Sequence, residues 1–179
     1  MNRRALFAAS GLAAAAAGAG LSWWQSRPAQ PSPDTSPSPD LWSLRFAQPN
    51  GGDLVMARLR GRPLVLNFWA TWCPPCVREI PQLSRFAREF GPAGWQVVGL
   101  AAESAEPVRR FLQNLPIDFP VGLAGMQALE LSRELGNAQG ALPFTAAFDT
   151  AGRKVQQRLG ETHFDELAQW AQALRGPTR

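Results

Sequence analysis

Cysteine and histidine are scarce in this chain. Its 179 residues include two cysteines and one histidine. These numbers are too small for a four-ligand zinc site or for a scaffold held together by several disulfides. Any cysteine chemistry must therefore come from a single pair, and we predict no metal site and no cofactor. The length allows one ordinary domain with a hydrophobic core and excludes two large domains.

Clusters of basic residues are also missing. The formal net charge is +4, and 17 of the 18 basic residues are arginine. No basic run is longer than two residues, whereas a nucleic-acid-binding protein usually concentrates its positive charge in a patch or stripe. We therefore predict an ordinary solvated surface and no nucleic-acid partner.

The first 27 residues contain an apolar run of the length that membranes require. Arg3 and Arg4 precede residues 5–21, in which Ser10 is the one polar side chain, and a tryptophan pair follows. With that pair the run approaches the roughly 20 residues of a membrane-spanning helix. Arginines before the run predict that everything after it is exported. We predict a signal-anchor in the cell membrane with a periplasmic domain, or a signal peptide whose cleavage near residue 19 leaves a soluble periplasmic protein.

Proline is concentrated in the next segment, residues 28–40, which includes five prolines and three serines. Such chains adopt extended polyproline II at about 3.1 Å per residue. The segment is therefore predicted to be a linker that holds a domain roughly 30 to 40 Å from its anchor. We place the folded domain at residues 41–175.

From residue 41 onward, short apolar runs alternate with stretches of helical periodicity. This pattern predicts an α/β domain with a central sheet of five or six strands. The predicted strands are 41–46 and 54–56 in a hairpin, 63–68 and 95–101 as a parallel pair, and 144–148 and 154–159 in a second hairpin. The predicted helices are 74–90, 106–114, 127–135 and 164–174.

The cysteine pair is the C-x-x-C motif Cys73-Pro74-Pro75-Cys76, which follows a predicted strand and opens a predicted helix. Backbone N–H groups and the helix dipole stabilise an anion at Cys73, so we predict that Cys73 is the attacking thiol. Cys76 lies within reach to resolve a mixed disulfide. Pro74 and Pro75 fix the backbone between the sulfurs and tune the redox potential. A structural disulfide and half of a metal site are the alternatives for this pair.

The motif belongs to a longer stretch, which Glu79 and Pro81 follow. It reads Asn67-Phe68-Trp69-Ala70-Thr71-Trp72-Cys73-Pro74-Pro75-Cys76. This stretch resembles the active-site segment of the membrane-tethered, DsbE-like thioredoxin-like proteins of the TlpA/ResA type. The resemblance covers about residues 41–174. It implies an α/β thioredoxin fold with an added N-terminal β-hairpin and a central insertion around 103–125.

The resemblance also implies roles for residues outside the motif. Pro143 lies where the thioredoxin fold places a cis-proline, and Leu142 would then present its backbone to a partner peptide. Asn67 replaces the buried aspartate of cytosolic thioredoxins, and an amide cannot shuttle a proton. Glu79 resembles the acid that TlpA/ResA-type proteins use instead, and partial burial would raise its pKa. Glu103, at the end of strand 95–101, is a second candidate acid.

Four residues are predicted to contact the substrate because they adjoin the cysteines or the proline. They are Trp72, Pro74, Pro75 and Leu142. The predicted substrates are protein disulfides and dithiols outside the cytoplasmic membrane, with reduction as the favoured direction. Cytochrome c maturation is one task that fits. The resemblance implies a membrane thiol-electron donor of the DsbD/CcdA type.

Two other functions remain as alternatives. A thiol peroxidase of the redoxin class shares the fold, but it expects one residue more between threonine and cysteine than Thr71 and Cys73 have. A copper-binding assembly protein of the Sco type needs a C-x-x-x-C pair and a well-placed histidine. His163 is the one candidate, and its place before the last predicted helix indicates a surface residue.

Overall fold

The computed structural model describes residues 41–174. The predicted anchor (1–27) and linker (28–40) lie outside the described residues, as does residue 175, so these boundaries stay predictions. Within residues 41–174, no helix is long and apolar enough to cross a membrane.

The described residues form seven strands and four α-helices. The strands are β1 (Arg45–Ala47), β2 (Asp53–Val55), β3 (Leu64–Trp69), β4 (Gln96–Ala101), β5 (Val121–Leu123), β6 (Phe144–Phe148) and β7 (Lys154–Leu159). The helices are α1 (Pro74–Phe90), α2 (Ala105–Asn114), α3 (Gln127–Glu134) and α4 (Phe164–Leu174). Short 3-10 helices occupy Leu41–Ser43, Met56–Leu59 and Gly91–Ala93.

All seven strands belong to one mixed sheet in the order β2-β1-β5-β4-β3-β6-β7. β3, β4 and β5 run parallel, whereas β6 pairs antiparallel with β3. Every residue of β3 is buried, as expected for a central strand that is covered on both faces. The predicted α/β class, the parallel pair of strands and both hairpins are confirmed.

The side chains of β3 alternate between two hydrophobic cores. Leu66 and Phe68 pack on the face that α3 covers. Val65 packs on the opposite face with Leu83 of α1 and Leu167 of α4. Burial of each such side chain contributes about 1.5 to 3 kcal/mol. This packing fixes the start of α1 relative to the end of β3, where the cysteine motif lies.

The predicted first strand, residues 41–46, is wrong in its first half. Leu41–Ser43 forms a 3-10 helix, and the strand begins at Arg45. Leu41 and Trp42 are both buried, although successive side chains of a strand point to opposite faces. The Trp42 Nε1 donates to the carbonyl of Gly152 at 3.1 Å. Two adjacent core side chains therefore favour a helical turn at this position.

The sheet has one strand more than the five or six predicted, because β5 lies inside the segment 103–125. It is only three residues long, and Gly122 in its centre interrupts the apolar pattern. A Cβ at Gly122 would lie 2.9 Å from Phe46 and from Leu100. The glycine therefore allows β5 to fit between β1 and β4, and β5 joins the N-terminal hairpin to the parallel core.

The four predicted helices are confirmed, with bounds that differ by at most one residue. Pro74 and Pro75 occupy the first two positions of α1. The N–H groups at these positions have no partner within a helix, so prolines are tolerated there.

Candidate active site

The cysteine motif begins at the end of the central strand. After β3, a turn leads from Ala70 to Cys73 and is closed by the Cys73 N–H, which donates to the Ala70 carbonyl at 3.2 Å. Cys73 is the N-cap of α1, and its Sγ accepts a hydrogen bond from the Cys76 N–H at 3.3 Å. Pro74 and Pro75 have no N–H to offer. The Cys73 sulfur therefore lies at the positive end of α1 but accepts a single backbone hydrogen bond.

The two cysteines form a disulfide with an S–S distance of 2.09 Å and a Cα–Cα distance of 5.3 Å. Cys73 is 5% exposed, whereas Cys76 is fully buried. Of the two residues, Cys73 therefore keeps a small exposed fraction and Cys76 keeps none. This difference is in the direction that the predicted attacking role of Cys73 and resolving role of Cys76 require.

The peptide bond between Leu142 and Pro143 is cis. Phe144, the next residue, pairs with Phe68 of β3, so this bond lies beside the end of the strand that leads to Cys73. The Pro143 carbonyl accepts from the Gly160 N–H at 2.9 Å. No backbone hydrogen bond within residues 41–174 involves Leu142, so its peptide groups can pair with another chain.

The loop before Leu142 is held by a buried asparagine that sequence reasoning missed. Asn137 is 1% exposed, and its Nδ2 donates to the Ala141 carbonyl at 2.8 Å and to Ser132 Oγ at 3.1 Å. The Ala141 N–H donates back to Asn137 Oδ1 at 3.3 Å. Asparagine favours such local bonds, but no pattern in the sequence points to this one.

Glu79 is fully buried in α1, one turn beyond Cys76. Asn67 Nδ2 donates to one of its carboxylate oxygens at 2.6 Å, and the Thr162 N–H donates to the other at 2.8 Å. Burial raises the pKa of Glu79 to about 7, although these donors act in the opposite direction. The expected rise of its pKa is confirmed, and the carboxyl can gain or lose a proton near neutral pH.

Asn67 connects Glu79 to a small polar network between β3 and β6. Its Nδ2 also donates to Thr145 Oγ1 at 3.0 Å, and the Thr162 hydroxyl donates to Thr145 Oγ1 at 3.1 Å. Asn67 and Thr145 are partners in the register of the two strands. Asn67 therefore orients the Glu79 carboxyl group. Thr145 and Thr162 carry no sequence signal, because they lie far along the chain from Glu79.

Glu103 follows β4 at the edge of the sheet where Cys73 lies, as predicted. Its Oε1 accepts from the Thr71 N–H at 2.5 Å and its Oε2 accepts from the Thr71 hydroxyl at 2.9 Å. Within residues 41–174, no hydrogen bond joins Glu103 to Cys73 or Cys76. The structure thus places this carboxylate against the turn that precedes the motif.

The four predicted substrate contacts differ in exposure. The Trp72 side chain is 65% exposed. Pro74 is also exposed, and Pro75 and Leu142 are partly buried. His163 is exposed at the start of α4. Among the described residues, no group of three histidine, cysteine, aspartate or glutamate side chains could hold a metal ion.

A C-x-x-C disulfide at the start of a helix, with one cysteine slightly exposed and the other fully buried, is suited to exchange with other thiols. The fold and site therefore define a thiol-disulfide oxidoreductase with a cis-proline beside its C-x-x-C motif. The Redoxin family model matches residues 30–173. The chain belongs to the Redoxin family.

Curated relatives carry the same activity in their names. The thiol-disulfide oxidoreductase ResA of Bacillus thuringiensis subsp. konkukian is 25% identical over 127 residues, which cover 69% of this chain and 70% of the relative. ResA of Bacillus subtilis is 30% identical over 100 residues, which cover 55% of this chain and 52% of the relative. The resemblance to the TlpA/ResA type is confirmed.

Solved structures show the same fold. A thioredoxin family thiol:disulfide interchange protein from Chlorobium tepidum superposes with a TM-score of 0.68 at 24% identity and covers 83% of this chain and 100% of its own. StoA from Bacillus subtilis superposes with a TM-score of 0.58 at 23% identity, over 72% of this chain and 95% of its own. The predicted thioredoxin fold is confirmed.

Proposed function

We propose that this protein reduces disulfides of exported proteins, with Cys73 as the attacking thiol, Cys76 as the resolving thiol and Glu79 as the proton acceptor. The observation that carries the proposal is the buried Glu79 carboxyl, one helical turn from the buried Cys76. A buried resolving thiol must lose its proton to a group inside the protein, and a carboxyl whose pKa is about 7 can take it.

The reaction has two steps. The Cys73 thiolate attacks a client disulfide, so that one client sulfur bonds to Cys73 and the other leaves as a thiolate that water protonates. Cys76 then passes its proton to the ionised Glu79, and its thiolate attacks the Cys73 sulfur. The second client sulfur leaves as a thiolate, and the Cys73–Cys76 disulfide forms. Two electrons pass from the dithiol to the client.

The client surface is proposed to include Trp72, Pro74, Pro75 and Leu142. The exposed Trp72 would contact the client beside the attacking sulfur. The backbone of Leu142 would pair with an extended client segment, as in strand addition. A client with a Cys-x-x-Cys-His disulfide, as in cytochrome c maturation, is the class that we favour. A membrane thiol donor of the DsbD/CcdA type would return the dithiol to its reduced state.

We expect the Cys73/Cys76 couple to have a reduction potential near the −270 mV of thioredoxin, far below the approximately −120 mV of DsbA. DsbA is oxidising because its reduced form is stabilised. Here Pro74 and Pro75 donate no hydrogen bond, so the Cys73 thiolate is stabilised by the helix dipole and the Cys76 N–H but not by the N–H groups of the two residues between the cysteines. Equilibration of the full chain with dithiothreitol buffers, followed by alkylation of the free thiols, measures the value.

A potential near that of DsbA would contradict the reducing direction and indicate a disulfide donor. Oxidation of the dithiol by one equivalent of hydrogen peroxide, faster than by a disulfide peptide, would favour the thiol peroxidase. Tight copper binding without thiol exchange would favour the copper-binding alternative.

We also propose that residues 1–27 anchor the protein and that residues 28–40 extend the domain away from the membrane. The apolar run after Arg3 and Arg4 and the proline-rich composition support this. Alkaline phosphatase folds only outside the cytoplasm, so a fusion after residue 40 is expected to be active. An inactive phosphatase fusion, together with an active β-galactosidase fusion at the same position, would contradict export.

A further inference from the structure

The turn before the attacking cysteine has two central residues whose N–H groups form no hydrogen bond within the turn. The turn Ala70–Cys73 is closed by one hydrogen bond between its end residues, from the Cys73 N–H to the Ala70 carbonyl. The N–H groups of the central residues, Thr71 and Trp72, take no part in that bond. This short piece of backbone carries the exposed Trp72 and sets the position of the Cys73 sulfur.

Glu103 holds the central part of this turn through hydrogen bonds to Thr71. Its two carboxylate oxygens accept from two donors of the same residue, the Thr71 N–H at 2.5 Å and the Thr71 hydroxyl at 2.9 Å. Two hydrogen bonds between the same pair of residues fix the orientation of the contact as well as its position. Glu103 forms no ion pair with any of the described residues, so Thr71 provides its partners.

The sheet places Glu103 where this contact can form. Trp69 and Ala101 are partners at the ends of the parallel strands β3 and β4. The Ala102 N–H donates to the Trp69 carbonyl at 2.8 Å. The loop after β4 is thereby tied to the loop after β3, and the next side chain, Glu103, meets the turn. The contact joins the segments that follow two paired strand ends.

We propose that Glu103 is a positioning residue: its carboxylate clamps Thr71 and so holds the turn that presents Trp72 and Cys73 to the client disulfide. This inference rests on the proposed function. It assigns Glu103 a role other than the acid that the sequence suggested. The proposed proton acceptor in the resolving step stays Glu79, which is buried one helical turn after Cys76, whereas both oxygens of Glu103 are held by Thr71.

A positioning role and a proton-transfer role for Glu103 predict different reaction rates for the variants at Glu103 and Thr71. Glu103→Gln removes the carboxylate, but its amide oxygen can accept from the Thr71 N–H and its amide nitrogen can donate to the hydroxyl. Glu103→Ala removes both contacts. Thr71→Val removes the hydroxyl contact, and Thr71→Ser keeps it. Glu106→Ala is the matched control, since Glu106 is exposed and pairs with arginines of α2 instead.

The first readout is the second-order rate constant at which the reduced full chain reduces a synthetic peptide with a Cys-x-x-Cys-His disulfide. We expect Glu103→Ala to slow the reaction about tenfold, Thr71→Val to slow it less, and Glu103→Gln, Thr71→Ser and Glu106→Ala to stay within about twofold. The double variant Glu103→Ala/Thr71→Val is expected to be no slower than Glu103→Ala, because both remove the same contact. Reduction of the protein by dithiothreitol, which needs no docked peptide, should change by less than about twofold in all of them.

The second readout needs no client. Hydrogen exchange of the Thr71 amide, measured by NMR, is expected to accelerate at least about tenfold in Glu103→Ala and to stay near the wild-type rate in Glu103→Gln. If wild type fails to reduce the peptide, the proposed function is wrong while this readout still tests the clamp.

Two results would overturn the inference. Glu103→Gln as slow as Glu103→Ala, with Thr71→Val at the wild-type rate, would assign a proton-transfer role to the carboxyl. A Glu103→Ala variant that matches wild type in both readouts would leave the contact without consequence. Should Glu103→Ala not fold, the pair Thr71→Val and Thr71→Ser decides, since equal rates for these two would also contradict the clamp.

Discussion

A Cys76→Ser variant is expected to become covalently bound to its clients. Its Cys73 thiolate still attacks a client disulfide, but no second thiol is present to release the mixed disulfide. Cys76 is fully buried, so serine can replace it without exposing new surface. The variant is produced with an affinity tag in cells, and thiol exchange is stopped with acid, which protonates thiolates. Adducts are then separated by non-reducing electrophoresis. Exported proteins with paired cysteines are expected in the adducts, and dithiothreitol should release them.

Cys73→Ser is expected to lower the rate of peptide disulfide reduction on the order of 1,000-fold or more, because it removes the nucleophile. We do not expect Cys76 to substitute, because it is fully buried. The double variant Cys73→Ser/Cys76→Ser is the control for adducts that form by non-covalent association, and it should yield none. Adducts on Cys73→Ser but not on Cys76→Ser would reverse the two roles and contradict the accessibility argument.

The sequence predicts the centre of the site well, because its signals are local. The strand before the motif, the helix after it and the two cysteines lie within a short stretch, so periodicity places Cys73 at the start of α1 without a structure. Glu79 belongs to the same helix, and the i, i+3 spacing puts it on the side of Cys76. These parts depend on neighbours in the chain, which a single sequence shows.

The parts that the sequence does not predict depend on contacts between distant segments. Thr162 is 83 residues from Glu79, and Thr145 is 78 residues from Asn67. Neither threonine differs in pattern from an ordinary strand or loop residue. The contact of Glu103 with Thr71 arises from the pairing of β3 with β4 and spans 32 residues. Sequence alone placed Glu103 at the correct edge of the sheet, but the residue that it touches follows from strand register.

Contacts between distant segments also explain the two places where the predicted fold was wrong. β5 is recognisable only through its neighbours, because three residues with a central glycine have no period. Residues 41–46 have the partial alternation of a strand, but they begin with two adjacent core side chains, Leu41 and Trp42. In both places, packing against elements elsewhere in the chain decided the local structure.

Glu79→Gln is expected to remove the pH dependence of the resolving step near neutral pH. In wild type the rate of this step should rise as pH increases through about 7, because the ionised Glu79 takes the proton of Cys76 and its pKa is about 7. Glutamine can keep the hydrogen bond from Asn67 Nδ2 to one oxygen and loses the one from the Thr162 N–H, and it cannot accept a proton. The step is followed by release of a fluorescent client peptide from a preformed mixed disulfide at Cys73, between pH 5 and pH 9. Glu89→Gln is the matched control, since Glu89 is an exposed glutamate of the same helix α1.

The free energy of unfolding provides a second test of the same residue. The pKa of Glu79 is about 7 in the folded protein against an ordinary value of 4.5, so the folded state binds the proton more tightly than the unfolded state. The resulting stabilisation is fully present below pH 4.5 and is lost as pH rises through about 7. This difference is worth about 3 kcal/mol.

Urea unfolding of the oxidised protein should therefore show a decline in the free energy of unfolding over that range in wild type and in Glu89→Gln, and a flatter profile in Glu79→Gln. Parallel profiles for all three proteins, with an unchanged pH dependence of peptide release, would show that Glu79 neither titrates near neutrality nor serves the resolving thiol. A flatter stability profile with unchanged release would separate the two properties, since Glu79 would then titrate without taking the proton of Cys76.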